Sequence, residues 1–185
     1  MAVPLASPIT LVTDGACSAN GRDGSRGGWA AILSDPAGTE VVLTGGEAPS
    51  TNNRMELMAV LEGLRAAPEG SEVVLVTDST YVANAISKGW LAGWQRRGWR
   101  TAAKEPVANR ELWERMLREL ARHRRVTPTL VKGHAGHEAN ERADRLAQDA
   151  ARQDHLPPPP PAADAPPPVP PRDEGQLGFD FSLFD

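Results

Sequence analysis

The stretch Val73-Val74-Leu75-Val76-Thr77-Asp78 is a run of mostly branched apolar residues that ends in a carboxylate. A continuous apolar run of this length is typical of a strand that is buried on both faces in the middle of a sheet. A second such run, residues 9–13, ends in the same way at Asp14. An ionised carboxylate at the end of a buried strand is unfavourable unless its charge is compensated, and the usual compensating group is a divalent cation.

Outward from these two runs, hydrophobic periodicity and turn residues predict the remaining elements. The order βββαβα…αβα implies an α/β fold, a mixed five-stranded sheet with helices on both faces. The predicted strands cover residues 9–13, 29–34, 40–44, 73–76 and 127–131. The predicted helices cover residues 53–66, 79–87, 109–123 and 138–153.

Four acidic residues in separate motifs are interpreted as one site. Together they carry a charge of −4, which two Mg²⁺ ions would neutralise, and this stoichiometry suggests two-metal phosphodiester chemistry. Taken singly, each acid also has an ordinary interpretation as a turn residue, a solvated helix position, a neighbour of a helix cap or part of a polar face. The four residues are Asp14, Glu56, Asp78 and Asp144.

Five motifs resemble those of the bacterial type 1 ribonuclease H family. They occur in the family's order and at nearly its spacing, over residues 7–152. The motifs are Thr13-Asp14-Gly15, Thr51-Asn52-Asn53-Arg54-Met55-Glu56, Thr77-Asp78-Ser79-Thr80-Tyr81, Val131-Lys132-Gly133-His134-Ala135-Gly136-His137 and Asn140-Glu141-Arg142-Ala143-Asp144. The resemblance implies the ribonuclease H-like fold and an endonuclease that hydrolyses the RNA strand of RNA/DNA hybrids, leaving 3′-hydroxyl and 5′-phosphate ends.

The resemblance also implies the role of each catalytic residue. Asp14 would bridge two Mg²⁺ ions, with Mn²⁺ as a possible substitute, while Glu56 and Asp78 complete one site and Asp144 the other. His134, in a loop with glycines on either side, would assist proton transfer or product release. In the cell, such an enzyme is expected to remove replication primers and R-loops.

The segment Lys88–Lys104 contains five basic residues, three tryptophans and no acid. Cations contact phosphates and indoles pack on sugars, so the composition suits a nucleic-acid backbone. The segment is similar to the family's basic protrusion, which grips the DNA strand. We expect Arg96, Arg97 and Trp99 to bind and Trp90 to lie in the core, although packing against the domain is an alternative for the tryptophans.

Recognition of RNA requires contacts to the 2′-hydroxyl group. The resemblance assigns such contacts to four residues and a DNA-strand phosphate to two more, although helix capping is an alternative role for the Asn pair. The first group is Cys17, Asn20, Asn52 and Asn53, and the second is Thr51 and Asn109. The chain departs from the family pattern in a longer turn between Ser18 and Gly28, in Thr80 for a common Gln, and in Glu105 and Ala108 where basic residues are common.

The composition changes after Leu156, where ten of the residues 157–171 are proline and all three phenylalanines fall within residues 179–185. We expect a short extension (1–6), a catalytic domain (7–152), a Pro-rich flexible and disordered linker (153–175) and a Phe-rich motif (176–185). Within Gln176–Asp185, the pentapeptide Asp180–Phe184 is similar to motifs that bind the sliding clamp. Docking of the phenylalanines onto the domain is the alternative.

Residues 153–185 carry six acidic residues and one arginine, so residues 1–152 hold 19 basic and 18 acidic residues. With four acids assigned to metal, the rest of the domain is mildly basic, which suits a polyanionic substrate.

The sequence has one cysteine, no apolar run near the ~20 residues of a membrane span and no signal peptide. We therefore expect a cytoplasmic monomer. Two alternatives to the ribonuclease H function are a hybrid-binding module without catalysis and another nuclease of the superfamily, such as an exonuclease or a resolvase.

Overall fold

The structure, a computed structural model, describes residues 7–19, 21–131 and 138–153 of the 185-residue chain. Its strands are β1 Ile9–Ser18, β2 Arg26–Ser34, β3 Glu40–Glu47, β4 Glu72–Thr77 and β5 Arg125–Leu130. Its helices are α1 Asn52–Ala66, α2 Thr80–Ser87, α3 Trp90–Arg96, α4 Arg110–Arg122 and α5 Glu138–Arg152. None of the helices in these described ranges combines the length and the apolar character needed to cross a bilayer.

The five strands form one sheet in the order β3-β2-β1-β4-β5. The pairings β1–β2 and β2–β3 are antiparallel, whereas β1–β4 and β4–β5 are parallel. The predicted mixed five-stranded sheet is therefore confirmed. Parallel strands need a long crossover, and α1 lies in the connection from β3 to β4, which run parallel without being neighbours in the sheet.

Helices cover the two faces of the sheet unequally. On one face, α1 packs against β1 and β2, and α4 packs against α1 around the fully buried Trp113. On the other face, α5 lies across β1, β2 and β3 through Ala143 and Ala147. A Cβ atom added at Gly28 would lie 2.2 Å from the carbonyl oxygen of Ala147, so α5 rests almost directly on the backbone of β2.

The interpretation of β4 as buried on both faces is wrong for one face. Val73 and Leu75 are buried toward α1, but Val74 is 39% exposed. The reason is the position of α5, which covers β1 to β3 and leaves the same face of β4 open. Burial on β4 therefore alternates along the strand.

Three strand boundaries differ from prediction by three residues or more. β1 continues from Asp14 to Ser18, β2 begins at Arg26, and β3 continues to Glu47. The polar and glycine residues in these extensions carry no hydrophobic periodicity, yet antiparallel pairing holds them through Ser18↔Arg26 and Gly27↔Glu47. Paired strand residues therefore occupy both ends of the turn that was predicted between Ser18 and Gly28.

Candidate active site

Asp14 lies where β1 separates from β4. Parallel pairing between these strands ends at Val12↔Val76, while antiparallel pairing with β2 continues to Ser18. Continuing the parallel register by two residues brings Asp14 opposite Asp78, the residue that follows β4. Only 7% of Asp14 is exposed. Two aspartates thus meet at the opening between two central strands.

The electrostatics of Asp14 link it to the other three acids. Burial, the charge of Asp78 and, to a smaller extent, the charges of Asp144 and Glu56 together raise the pKa of Asp14 from 3.8 to about 7. The backbone N–H of Gly15, which donates to Oδ1 of Asp14 at 2.7 Å, opposes these effects. The structure therefore brings the other three predicted acids within electrostatic reach of Asp14, and we call the group of four the acidic centre.

Glu56 reaches the acidic centre because α1 packs very closely on β1. A Cβ atom added at Gly15 would lie 2.3 Å from the backbone nitrogen of Glu56. The hydroxyl of Ser79 donates a hydrogen bond to the Glu56 carboxylate and also accepts one from the N–H of Val82, capping α2. Burial raises the pKa of Glu56, the Ser79 hydrogen bond lowers it, and the charge of Asp78 raises it. The sequence predicts Ser79 only as a helix cap.

Asp144 is brought to the acidic centre by α5. The same helix carries Ala143 and Ala147, which pack on the sheet beside Asp14. The side-chain amide of Gln148, one turn further along, donates to Oδ1 of Asp144 at 2.8 Å. Arg142 contacts Glu40 of β3 at 2.7 Å, which helps to fix the helix over the sheet. Sequence reasoning assigned no role to Gln148, although its spacing of four residues from Asp144 on a predicted helix is a signal that could have indicated the contact.

The donor set of the acidic centre fits a divalent cation. It consists of carboxylate oxygens, the ligands that Mg²⁺ prefers, and the raised pKa of Asp14 reflects its burial and the negative charges of the other three acids. Within the described ranges, no three acidic, histidine or cysteine side chains already form a metal cage.

A cleft of about 400 Å³ adjoins the acidic centre. Gly15 and Gln148, which contact Asp14 and Asp144, line it together with Cys17 and Asn52. The Cys17 thiol donates to the carbonyl oxygen of Ser50 at 3.2 Å, which ties β1 to the segment before α1. Two of the predicted RNA contacts therefore lie in one cleft beside the four acids.

A second cleft, of about 370 Å³, lies at the start of α1 and of α4. Its lining contains both predicted phosphate contacts, Thr51 and Asn109, together with Asn52, Asn53 and Ala108. Asn52 lines this cleft as well as the first. The structure thus brings together five of the six residues assigned to sugar and phosphate recognition, and we call this second cleft the amide cleft.

The basic segment Lys88–Lys104 contains α3, and most of its residues are exposed. Arg96 and Arg97 are exposed, and Nε of Arg97 donates to the carbonyl oxygen of Arg100 at 3.1 Å. Trp99 is partly buried against the core, and the guanidinium of Arg110 lies 5.6 Å from the centre of its ring. Only part of the Trp99 side chain is therefore exposed for the binding role that the sequence predicted.

The prediction that Trp90 lies in the core is wrong. Trp90 is 37% exposed, and the buried member of the pair is Trp94, at 7%. The ring of Trp94 packs between Tyr81 and Trp113, at centroid distances of 6.3 and 5.4 Å. Trp90 instead lines a third cleft with Arg97.

The comparisons with known proteins decide the family. The ribonuclease H family model matches residues 6–152. The chain belongs to the ribonuclease H family. This membership confirms the resemblance and the enzyme class, a nuclease that hydrolyses RNA.

Named ribonuclease H relatives match over most of their length. The chain is 52% identical to the ribonuclease H of Nitratidesulfovibrio vulgaris over 149 residues, covering 80% of this chain and 92% of that protein. It is 54% identical to the ribonuclease H of Thermus thermophilus over 143 residues, or 77% and 83% of the two chains.

Solved structures give the same assignment of fold. LC9-RNase H1, a type 1 RNase H with the type 2 active-site motif, matches with a TM-score of 0.68 at 32% identity, over 80% of this chain and 74% of that chain. A foamy viral protease-reverse transcriptase in complex with RNA/DNA hybrid matches with a TM-score of 0.67, over 79% of this chain and 20% of that chain. Its 19% identity indicates the shared fold alone.

Several predicted parts of this ribonuclease H lie outside the described residues. They include Asn20 and His134 of the site. They also include the extension 1–6, the linker after Gln153 and the motif Gln176–Asp185. Their assignments remain predictions from the sequence.

The raised pKa of Asp14 predicts a pH-dependent gain in stability for Asp14→Asn in metal-free protein. An acid with a higher pKa in the folded than in the unfolded protein loses stability as the pH rises between the two values. For a shift from 3.8 to about 7, the variant should gain at most about 4 kcal/mol in the free energy of unfolding at pH 8. Urea unfolding with chelator at several pH values measures the gain. A difference that does not diminish toward pH 4 would contradict this origin.

Proposed function

We propose that the chain is an endoribonuclease that hydrolyses the RNA strand of RNA/DNA hybrids at the acidic centre. The observation that carries the proposal is the electrostatic coupling of Asp14 to Asp78, Asp144 and Glu56 beside a cleft that contains Cys17 and Asn52. Membership of the ribonuclease H family supports the same reaction. The products we propose are a 3′-hydroxyl and a 5′-phosphate.

The cofactors we propose are two Mg²⁺ ions, for which Mn²⁺ would substitute. Asp14, Glu56, Asp78 and Asp144 would hold them, since the four carboxylates match the charge and the oxygen preference of the ions. When bound, such ions stabilise the charge on the attacking and leaving oxygens of a phosphodiester. The acids alone, with Asp14 largely buried, would repel a phosphate.

The protein's own residues orient the reacting groups. A water molecule attacks the phosphorus, the bond to the 3′ oxygen breaks, and that oxygen takes up a proton. His134 is the residue that we propose moves a proton during the step or assists product release. Ser79 and Gln148 fix Glu56 and Asp144 through their hydrogen bonds.

The two strands of the hybrid would occupy different clefts. We propose that Cys17, Asn20, Asn52 and Asn53 contact 2′-hydroxyl groups of the RNA strand, which DNA lacks. The phosphate contacts we propose are Thr51 and Asn109 in the amide cleft, and the contacts of the basic segment are Arg96, Arg97 and Trp99. Asn52 lines both clefts, which supports a duplex that lies across them.

In the cell, we propose a cytoplasmic monomer that removes replication primers and R-loops. The catalytic domain would comprise residues 7–152, and residues 153–175 would link it to the motif Gln176–Asp185. Binding of that motif to the sliding clamp would raise the enzyme's local concentration at replicating DNA. A pull-down with purified clamp tests the contact, and equal capture of the full chain and of a chain ending at Pro171 would refute it.

Cleavage of one end-labelled RNA strand tests the proposed reaction. The strand is supplied alone, in an RNA duplex and paired with DNA, each with Mg²⁺ and with chelator. We expect internal cutting of the hybrid alone, lost with chelator and in Asp78→Asn. Tight hybrid binding without cutting would favour a binding module, and stepwise shortening from one end would favour an exonuclease.

A further inference from the structure

Arg54 joins three elements around the amide cleft. It lies on α1, and its side chain is 24% exposed. Nε donates to Oε1 of Glu47 on β3 at 2.5 Å, and a second nitrogen donates to Oε2 at 3.3 Å. The remaining guanidinium nitrogen donates to the carboxylate of Glu111 on α4 and to Oδ1 of Asn109 at 3.3 Å.

The backbone of Arg54 contacts the other side of the same cleft. Its N–H donates to Oγ1 of Thr51 at 3.3 Å. Arg54 therefore donates hydrogen bonds to the side-chain oxygens of Thr51 and Asn109, the two residues assigned to the DNA-strand phosphate. A hydroxyl whose lone pair is engaged still has its O–H to donate, and an amide whose oxygen is engaged still has its NH₂ group.

Asn109 is available for such a role because its own helix does not use its side chain. It occupies the N-cap position of α4 with a left-handed backbone (φ 55°) and makes no side-chain capping hydrogen bond. Its oxygen contacts Arg54 instead. This contact distinguishes the two ends of the amide and directs Oδ1, the end that would repel a phosphate, toward Arg54.

We propose that Arg54 is a positioning residue that presents the Thr51 hydroxyl and the Asn109 amide as hydrogen-bond donors to a DNA-strand phosphate. The inference rests on the proposed hybrid substrate. It assigns the orientation of the donors in the amide cleft to Arg54, which does not itself bind the phosphate. Both donors contact the same residue, Thr51 through the backbone N–H of Arg54 and Asn109 through its guanidinium, so a side-chain substitution at Arg54 removes the orientation of Asn109 and keeps that of Thr51.

The partners of Arg54 exclude it as the phosphate ligand. Its four hydrogen bonds to Glu47, Glu111 and Asn109 engage most of its five N–H donors. The two carboxylates also more than balance its single charge. Lysine cannot replace it, because one ammonium group lacks the planar fork that reaches a carboxylate and an amide at once.

Kinetics and direct binding of the hybrid test the role of Arg54. We expect Arg54→Gln to raise KM and the hybrid Kd about tenfold, the loss typical of hydrogen bonds to a charged group, with kcat nearly unchanged. Arg54→Lys should not restore binding. The slope of log Kd against log salt should stay at the wild-type value, because no phosphate contact by a cation is lost.

Two further variants keep the test independent of folding defects. Asn109→Asp keeps an acceptor for Arg54 but presents an anionic oxygen to the phosphate in place of the donor, so it should weaken binding at least as much as Arg54→Gln, and the two losses should not add in the double variant. Arg115→Gln is the matched control, because Arg115 also links α4 to α1, through Glu62 at 3.2 Å, away from the cleft. It should leave KM unchanged.

Three results would overturn the inference. They are wild-type affinity in Arg54→Gln or Asn109→Asp, additive losses in the double variant, and a salt slope reduced by about one, which would make Arg54 a direct phosphate contact. Failure of the proposed function is distinguishable, because the wild-type protein would then neither bind nor cut the hybrid preferentially.

Discussion

Asp14→Asn is expected to lower the rate of hybrid cleavage by at least about three orders of magnitude, or roughly 4 kcal/mol in the activation barrier. Asp14 is the member of the acidic centre whose pKa responds to the charges of all three other acids. Asparagine keeps the size of the side chain but removes the negative charge that would attract a cation. Single-turnover cleavage with saturating enzyme measures the effect without a contribution from binding.

The control for Asp14→Asn is Asp149→Asn. Asp149 is an exposed aspartate of α5, and its carboxylate contacts Arg152 at 2.8 Å, so it should not affect cleavage. The stability of Asp14→Asn should equal or exceed that of the wild-type protein at neutral pH. A loss of cleavage below tenfold, or an equal loss in the control, would contradict a reaction centred on Asp14.

Gly15→Ala is expected to damage both the fold and the reaction. The new Cβ atom would lie 2.3 Å from the nitrogen of Glu56 and 2.6 Å from the carbonyl carbon of Met55, and both are backbone atoms that cannot rotate away. α1 must therefore move off β1 and carry Glu56 with it. We expect a loss of about 2–3 kcal/mol in the free energy of unfolding and about a hundredfold loss in kcat.

Urea unfolding and cleavage rates measure the two effects of Gly15→Ala. Gly93→Ala on α3 is the stability control, because its Cβ would meet only the movable guanidinium of Arg97, at 3.2 Å. Alanine in a helix interior is favoured over glycine by about 1 kcal/mol. Wild-type stability and wild-type cleavage in Gly15→Ala would show that the close approach of α1 to β1 does not position Glu56.

Much of the fold could be predicted because each element has a local signal. Alternation, apolar runs and turn residues gave the order of strands and helices, from which the mixed sheet follows. The extension of β1 beyond Asp14 had no such signal, since pairing with β2 alone holds residues 14–18. The exposure of Val74 depends on where α5 ends on the sheet, which no local pattern reports.

The two tryptophans of α3, Trp90 and Trp94, show the same limit of prediction from local sequence patterns. Trp90 and Trp94 are four residues apart, so helical spacing predicts one shared face but not which ring the domain covers. Trp94 is buried because Tyr81 and Trp113, from two other helices, pack around it. That information is absent from residues 88–104.

Within the candidate site, the four acids could be predicted from the sequence, but the residues that support them could not. The four acids were recognisable because each lies in a motif, and the structure brings them together around Asp14. The supporting residues were not recognised in these roles, because the sequence predicted Ser79 only as a helix cap and assigned no role to Arg54 or Gln148. Their roles depend on contacts such as Arg54–Glu47, between residues that no periodic pattern connects.

The central claim is that the acidic centre holds divalent cations, and thermal unfolding at constant ionic strength tests it most directly. A ligand that binds the folded state raises Tm as its concentration rises. We predict that Mg²⁺ raises the Tm of the wild-type protein and of Asp149→Asn, and that Asp14→Asn abolishes this response. An equal Mg²⁺-dependent rise in Asp14→Asn would contradict the claim.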